Sequence, residues 1–190
     1  MIKIVSFIFI FLICSNKSIA QIKILDAQSA EDISHHYITS LLKLALEKSE
    51  DRYSKKSLVI LPSSKLSQGR SIRLLKNNFI DVHWTGTNNI REKELLPIRI
   101  PLFKGLLSYR VSIIHKDNLN LFNQLTPHKF KRLIACQGSH WPDSNILEFN
   151  NYKVMRVPRF DLMFKMVNQK RCDYFPRAIF EGYSELVAAQ

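Results

Sequence analysis

The sequence of 190 residues lacks the short motifs that mark several classes of enzyme. It has no His and Cys spacing typical of metal ligands, no nucleophile elbow and no glycine-rich phosphate loop. Its adjacent histidines, His35 and His36, cannot share one face of a helix, which argues against a metal site there. We therefore expect neither a metal nor a cofactor.

The chain also lacks the run of about twenty apolar residues that a membrane-spanning helix needs. Its longest apolar segment, 4–13, is about half that length, follows a lysine and precedes small residues up to Ala20. This order is typical of a secretory signal, so we predict a signal peptide at residues 1–20, cleaved after Ala20. An uncleaved N-terminal anchor is the alternative. A lipoprotein signal at Cys14 is disfavoured because the preceding residue, Ile13, is large.

Acidic residues are scarce relative to basic ones, and the basic residues form no long run and no tail. The formal net charge is +12, from 28 Lys and Arg against 16 Asp and Glu, and removing the signal peptide with its two lysines leaves +10. Such dispersed positive charge attracts anionic ligands, membrane surfaces or nucleic acids. Export makes nucleic acid the least favoured of these partners.

Of only three cysteines, Cys136 and Cys172 remain after signal cleavage. An oxidising compartment favours a disulfide between such a pair. However, Cys136 ends one predicted strand and Cys172 begins another. If these strands are parallel neighbours, the thiols lie toward opposite ends, beyond the roughly 4.4–6.8 Å between Cα atoms that a disulfide requires. We therefore predict two buried free thiols.

Strands and helices alternate along the first half of the mature chain. Short apolar strands are predicted at 22–25, 58–61 and 79–84, and amphipathic helices at 33–48 and 67–77. This βαβαβ order implies a parallel sheet with right-handed crossovers.

The second half repeats this order around residues 133–147, LIACQGSHWPDSNIL. A strand at 133–136 is followed by a turn and by a helix opened by Pro142, whose fixed φ suits the first helical position. Open α/β sheets hold ligands at such junctions, although many of these junctions bind nothing. Further strands are predicted at 109–115, 153–157 and 172–175, and a core-facing helical stripe at Phe160, Met163, Phe164 and Val167.

These patterns predict an α/β protein with two lobes, residues 21–116 and 117–190. Each lobe is a mostly parallel sheet flanked by helices. The natural place for a ligand is the cleft between them.

Three segments carry a family resemblance: CQGSHWPDSNIL at 136–147, FDLMFKMVNQKRCDYFPR at 160–177, and DVHWTGTNNIREKELLPIRIPLFKGLLSYRV at 81–111. Together they resemble periplasmic substrate-binding proteins of the type 2 fold, in the branch of extracellular solute-binding family 3 and amino-acid transporters. The resemblance implies a periplasmic monomer whose lobes, joined by two crossing strands, clamp a small solute. It also implies delivery to an ABC transporter permease or to a sensor.

Members of this family return to the first lobe after the second, and the sequence stops at Gln190, where that return would begin. We therefore expect the C-terminal return to be missing. Such a chain would expose an open sheet edge and an apolar face.

In the first lobe, the resemblance implies that Arg91 pairs with a ligand carboxylate, for which a guanidinium is suited. The alternative is a surface salt bridge with Glu92 or Glu94. Trp84 and Thr85 match an aromatic wall and a hydroxyl of the site, with core packing as the alternative for Trp84. Further candidates at strand ends, each of which could instead be a helix cap, are Gln28, Ser29, Ser63 and Ser64.

In the second lobe, Gly138, Ser139 and His140 would offer backbone donors and side-chain contacts to an anion. Pro142 supplies no N–H and Asp143 already places a negative charge in the first helical turn, which lowers the case for an anion there. We therefore interpret His140 and Trp141 as stacking or hydrogen-bonding contacts, with a purely structural His140 as the alternative.

Arg177 departs from the family pattern, which places an acid shortly after this strand to hold the ligand's ammonium group. The nearest acid here is Glu181. An arginine at this position favours an anionic ligand, so Arg177 is the eighth predicted ligand contact.

Two other classes of function stay open. One is an exported enzyme on the same fold, a dehydratase or a lytic enzyme, with His140, Asp143 and Glu148 as acid and base. The two carboxylates are five residues apart on one predicted helix and point in different directions, which disfavours it. The other is a sensory module or a non-functional remnant without a transport partner.

Overall fold

The computed structural model describes residues 20–27, 32–63 and 66–189. Residues 1–19 of the predicted signal peptide lie outside this part of the chain, as do Gln28, Ser29 and Ser64. None of the described helices combines the length and hydropathy needed to cross a membrane.

The first lobe is built on two parallel strands, β1 (Ala20–Leu25) and β2 (Lys56–Leu61), with Ile24 opposite Ile60. Helix α1 (Ile33–Lys48) connects them and α2 (Gln68–Lys76) follows β2, so both predicted helices are confirmed. Asp32 caps α1 by accepting a hydrogen bond from the backbone N–H of His35 at 2.9 Å.

The prediction of a third strand at 79–84 is wrong. This segment runs along the edge of β1 away from β2, and Ile80 is 1% exposed. Its Asp81 donates its backbone N–H to the carbonyl of Lys23 (2.8 Å), while the N–H of Lys23 donates to the Asp81 carboxylate (2.7 Å). A side chain therefore takes the place of the backbone acceptor that a strand would supply, and no ladder forms.

The second lobe is a four-stranded sheet in the order β3, β6, β4, β5. Strands β4 (Ile134–Gly138), β5 (Lys153–Val157) and β6 (Tyr174–Ala178) are parallel, and β3 (Arg110–Ile114) pairs antiparallel with β6. The predicted βαβαβ set is confirmed as β4, α6 (Pro142–Phe149), β5, α7 (Phe160–Asn168) and β6. The remaining helices are α3 (Asn89–Glu94), α4 (Leu119–Asn123), α5 (Pro127–Phe130) and α8 (Gly182–Ala188), with 3-10 turns at Leu106–Ser108 and Lys116–Asn118.

The last strand begins two residues and ends three residues later than predicted, so Pro176 and Arg177 are inside β6 and do not close it. Pro176 is tolerated there because of the pairing. Ile179 donates its backbone N–H to the carbonyl of Tyr109 (3.0 Å), and the antiparallel alternation then points the nitrogen of Pro176 away from β3. On that other side, β4 pairs with β6 only at Tyr174. The missing N–H of Pro176 therefore removes no backbone hydrogen bond between β6 and its neighbouring strands.

The core of the second lobe lies between α7 and the sheet, as the apolar stripe predicts. Met163 and Val167 of α7 are buried against Phe175, which is fully buried. Phe160 and Phe164 pack at the margin of the same cluster. Through these contacts, α7 covers the face of the sheet next to the turn that follows β4.

The prediction of free thiols is wrong, because Cys136 and Cys172 form a disulfide with a Cα separation of 5.6 Å. Cys136 is in the middle of β4, and Cys172 lies in the turn before β6. Asp173 holds that turn against the start of β4: its N–H donates to the carbonyl of Ile134 (2.9 Å) and its carboxylate accepts from the N–H of Ile134 (2.7 Å). The two cysteines therefore do not lie at opposite ends of neighbouring strands.

Candidate functional site

The turns after the strands of the two lobes face each other across a crevice. Arg91 of α3 donates from Nη2 to the carbonyl oxygen of His140, which follows β4, at 2.7 Å. A Cβ added at Gly69 of α2 would lie 2.7 Å from the His140 ring, and one added at Gly86 would lie 3.6 Å from Pro142. The loops that carry Trp84 and Trp141 thus lie on the same side of the molecule.

Arg91 is the cation at the centre of this crevice. Asn88 caps α3 by accepting from the backbone N–H of Arg91 at 2.8 Å, which places the side chain over the crevice. Its guanidinium donates to four uncharged oxygens, those of Thr85 Oγ1 (2.5 Å), Gly86 O (2.7 Å), Gln68 Oε1 (2.5 Å) and His140 O (2.7 Å).

Neither of the acids considered as surface partners of Arg91 pairs with it. Glu92 binds Arg99 at 2.7 Å, and Glu94 binds Lys76. Arg91 has no salt bridge to any described carboxylate. Burial lowers the pKa of Arg91, and the charge of Asp143 opposes this. The crevice therefore holds a partly buried positive charge whose described hydrogen-bond partners are all neutral.

Trp84 borders a pocket of about 70 Å³ at the carboxyl end of the first sheet. The indole lies 5.1 Å from the ring of His35, which is itself buried, and Ser63 and Asp26 also line this pocket. The hydroxyl of Ser63 donates to the carbonyl of Asp26 at 2.7 Å, so it links the ends of β1 and β2. Thr85 is exposed and accepts from Arg91.

His83 is a residue of this pocket that the sequence did not single out. Its Nε2 atom is buried and has no hydrogen-bond partner among the described residues. Burial, and then the charge of Arg91, lower the pKa of His83 to about 4 from the usual 6.5. His83 is therefore neutral at physiological pH.

The low pKa of His83 predicts a loss of stability in mild acid. The unfolded chain takes up a proton at this histidine below pH 6.5, whereas the folded chain does so only below about pH 4, so stability falls as pH falls between these values. Between pH 7 and pH 5 the wild type should lose about 2 kcal/mol of unfolding free energy that a His83→Gln variant keeps, as measured by urea unfolding. The matched control is His128→Gln, because His128 is exposed. Equal losses in wild type and His83→Gln would contradict this.

On the second lobe, the turn after β4 is tightly packed. A Cβ at Gly138 would lie 2.5 Å from the Trp141 indole, so only glycine fits beneath this ring. The backbone N–H groups of Ser139 and Trp141 donate to Val157 O and Gly138 O, both at 3.0 Å. Of the backbone donors expected to face a ligand, the N–H of Ser139 is thus already in use.

A second, water-sized pocket of about 20 Å³ lies between the two lobes. It is bordered by Gln68 of the first lobe and by Gly138, Ser139, His140 and Trp141 of the second. The crevice is therefore nearly closed in this structure, and a ligand larger than water needs the lobes to separate.

Arg177 is buried behind Trp141 and borders neither pocket. Its Nε and Nη2 donate to the two carboxylate oxygens of Glu185, both at 2.5 Å, and Nη2 lies 2.9 Å from Glu181. Burial alone would lower the pKa of Arg177, but the hydrogen bonds and charge of Glu185 outweigh it and raise the pKa. Unlike Arg91, this arginine has its charge compensated within the chain.

The two carboxylates considered for acid and base chemistry are both held by arginines. Asp143 binds Arg110 at 2.6 Å, and Glu148 binds Arg156 at 2.6 Å. The hydrogen bond from Arg156 lowers the pKa of Glu148, which keeps it ionised and unsuited to donate a proton. Within the described ranges, no cluster of His, Cys, Asp and Glu could hold a metal ion.

Two α/β lobes that face each other across the carboxyl ends of their strands are typical of periplasmic binding proteins, and the likeness to the solved structures below confirms the predicted type 2 fold class. No protein-family model and no curated protein matches the chain. Solved structures do match it, at 9–15% sequence identity, which establishes likeness of fold.

Three solved structures illustrate this likeness. An ancestral arginine-binding protein bound to arginine has a TM-score of 0.58 at 12% identity, over 89% of this chain and 74% of that one. A putative L-cystine ABC transporter protein from Listeria monocytogenes has a TM-score of 0.57 at 11% identity, over 90% and 75%. An ancestral amino acid-binding protein, described as a precursor of cyclohexadienyl dehydratase, has a TM-score of 0.60 at 11% identity, over 89% and 74%.

Proposed function

We propose that this protein is a periplasmic solute-binding protein that clamps a small anionic or amino-acid-like ligand between its two lobes. The observation that carries the proposal is Arg91. Its guanidinium spans the crevice of a binding-protein fold and has only neutral described partners, so a carboxylate is the partner that its charge lacks. The structural neighbours named for arginine, cystine and amino acids support an amino-acid-like ligand.

The proposed contacts surround Arg91. In the first lobe, Thr85 accepts a hydrogen bond from it and Trp84 lines the neighbouring pocket. In the second lobe, Gly138, Ser139, His140 and Trp141 form the opposite wall. The charge of Arg177 is neutralised by Glu181 and Glu185. We therefore propose that Arg177 affects the site indirectly, through its contact with the ring of Trp141.

Export to the periplasm is supported by the signal-like residues 1–20 and by the disulfide, which persists in oxidising compartments. We propose delivery of the solute to an inner-membrane permease or a sensor, a monomeric state and no nucleic-acid partner. The second candidate is an enzyme, which the likeness to the dehydratase precursor favours. Against it, the carboxylates of Asp143 and Glu148 are held in ion pairs.

A thermal-shift screen of residues 21–190 tests the proposal. The panel contains L-arginine, L-cystine, L-glutamate, L-glutamine, succinate and a dipeptide. A ligand at a hundredfold its Kd adds about 2.7 kcal/mol to the unfolding free energy, which raises Tm by roughly 5–10 °C. We expect such a rise for at least one carboxylate ligand and none for its amide or ester analogue without a carboxylate. A panel without any shift would count against a solute-binding role.

A further inference from the structure

Arg177 is a cation surrounded by aromatic rings and carboxylates of the same chain. Its guanidinium carbon is 5.0 Å from the ring centroid of Trp141, 5.5 Å from that of Phe160 and 5.2 Å from that of Phe175. A guanidinium within about 6 Å of an aromatic face is attracted by the ring, most strongly by tryptophan. Three rings at this range form a cage around a cation.

Two carboxylates close the open side of this cage. Glu181 immediately precedes α8 and Glu185 lies in its first turn, and both bind Arg177. The side chains of Arg177, Glu181 and Glu185 are only 9%, 15% and 16% exposed. Partly desolvated ion pairs of this kind depend on their geometry, since either charge alone would be buried without a partner. The position of α8 and that of the guanidinium are therefore fixed together.

Trp141 connects this cage to the crevice. The indole borders the narrow pocket between the lobes together with Gly138 and His140. One side of the indole packs over Gly138 without room for a Cβ. The position of the indole therefore depends on the groups that pack against its ring. Among the described contacts of that ring, Arg177 is the one that carries a charge, and neither glutamate has a recorded contact with it.

We propose that Arg177 is a positioning residue that occupies an internal aromatic and carboxylate cation site, and that α8 holds Trp141 at the crevice wall through it. Arg177 does not meet the ligand. The cage selects alkylguanidinium groups, because its carboxylates bind in a bidentate manner and its rings stack on a planar cation. The consequence for ligand binding rests on the proposed function, whereas the positioning of Trp141 does not.

Fluorescence tests this positioning without any ligand. Trp84→Phe leaves Trp141 as the one tryptophan, since the sequence has two. In this background, Glu185→Gln should shift the emission of Trp141 and increase its quenching by acrylamide. The matched control, Asp117→Asn, removes a carboxylate from an exposed ion pair with Lys170 and should leave the emission unchanged. Normal emission in Glu185→Gln would overturn the proposal, even if its Tm were lowered.

Chemical rescue tests the selectivity of the cage. Arg177→Ala should release Trp141 in the same way, and millimolar propylguanidinium should restore its emission, whereas propylammonium should restore less. If Arg177→Ala does not fold, Arg177→Met with Glu181→Gln and Glu185→Gln removes all three buried charges and provides a folded comparison. This triple variant should show a released Trp141 that propylguanidinium does not restore. Equal rescue by propylguanidinium and propylammonium, or native emission in the triple variant, would overturn this proposal. Neither result would affect the solute-binding proposal.

Discussion

Replacing Cys136 and Cys172 by alanine should lower the unfolding free energy by about 4 kcal/mol, because the disulfide closes a loop with a sequence separation of 36 residues. For a chain of this size the loss corresponds to a fall in Tm of about 10 °C. The bond links the middle of β4 to the turn before β6, so it constrains the second lobe in particular. Urea unfolding of the double variant and the wild type measures the difference.

Alanine also removes two buried sulfur atoms, and cavity formation alone destabilises a core. The wild type in dithiothreitol separates the two causes, because reduction opens the loop and leaves the sulfur atoms in place. We expect most of the loss to appear on reduction alone. Equal stability of oxidised and reduced wild type would show that the covalent link contributes nothing.

Arg91→Gln should weaken binding of a carboxylate ligand by about 100-fold, since charge-assisted hydrogen bonds contribute about 3 kcal/mol. Glutamine keeps hydrogen-bonding capacity and removes the charge that no described carboxylate neutralises. Calorimetry with the ligand found in the thermal-shift screen measures the change in Kd.

Arg99→Gln is the matched control for Arg91, because Arg99 is an exposed arginine that already pairs with Glu92. We expect its Kd to equal that of the wild type, since its charge is compensated and outside the crevice. Unchanged affinity in Arg91→Gln, or the same loss in both variants, would exclude Arg91 as the specific carboxylate partner.

Periodic segments were predictable from the sequence, and segments controlled by single side chains were not. The bounds of α1 and β5 agree with their apolar patterns because burial on one face determines both. The segment 79–84 has a strand-like composition, but the carboxylate of Asp81 occupies the N–H of Lys23. The disulfide was missed for a similar reason, since shifts of two residues in the strand ends decide the distance between Cys136 and Cys172.

At the candidate site, the sequence indicated Arg91 but not its acceptors, which come from four separate positions that the fold brings together. Neither the buried His35 nor the half-buried His83, whose Nε2 atom is enclosed, gave a signal, because a histidine's surroundings depend on packing between distant elements. The glutamate partners of Arg177 lie four and eight residues further on, and only the docking of α8 reveals that both reach it.

For the proposed solute binding, the hydrogen bond from Arg91 to the carbonyl of His140 has a kinetic consequence. Because this bond bridges the crevice, a solute can enter only after the lobes have parted. The observed association rate should then level off at high solute concentration, at the rate of opening. The solute and the carbonyl of His140 would compete for the guanidinium of Arg91. The measured affinity for the solute would therefore be lower than the contacts between solute and protein alone would give.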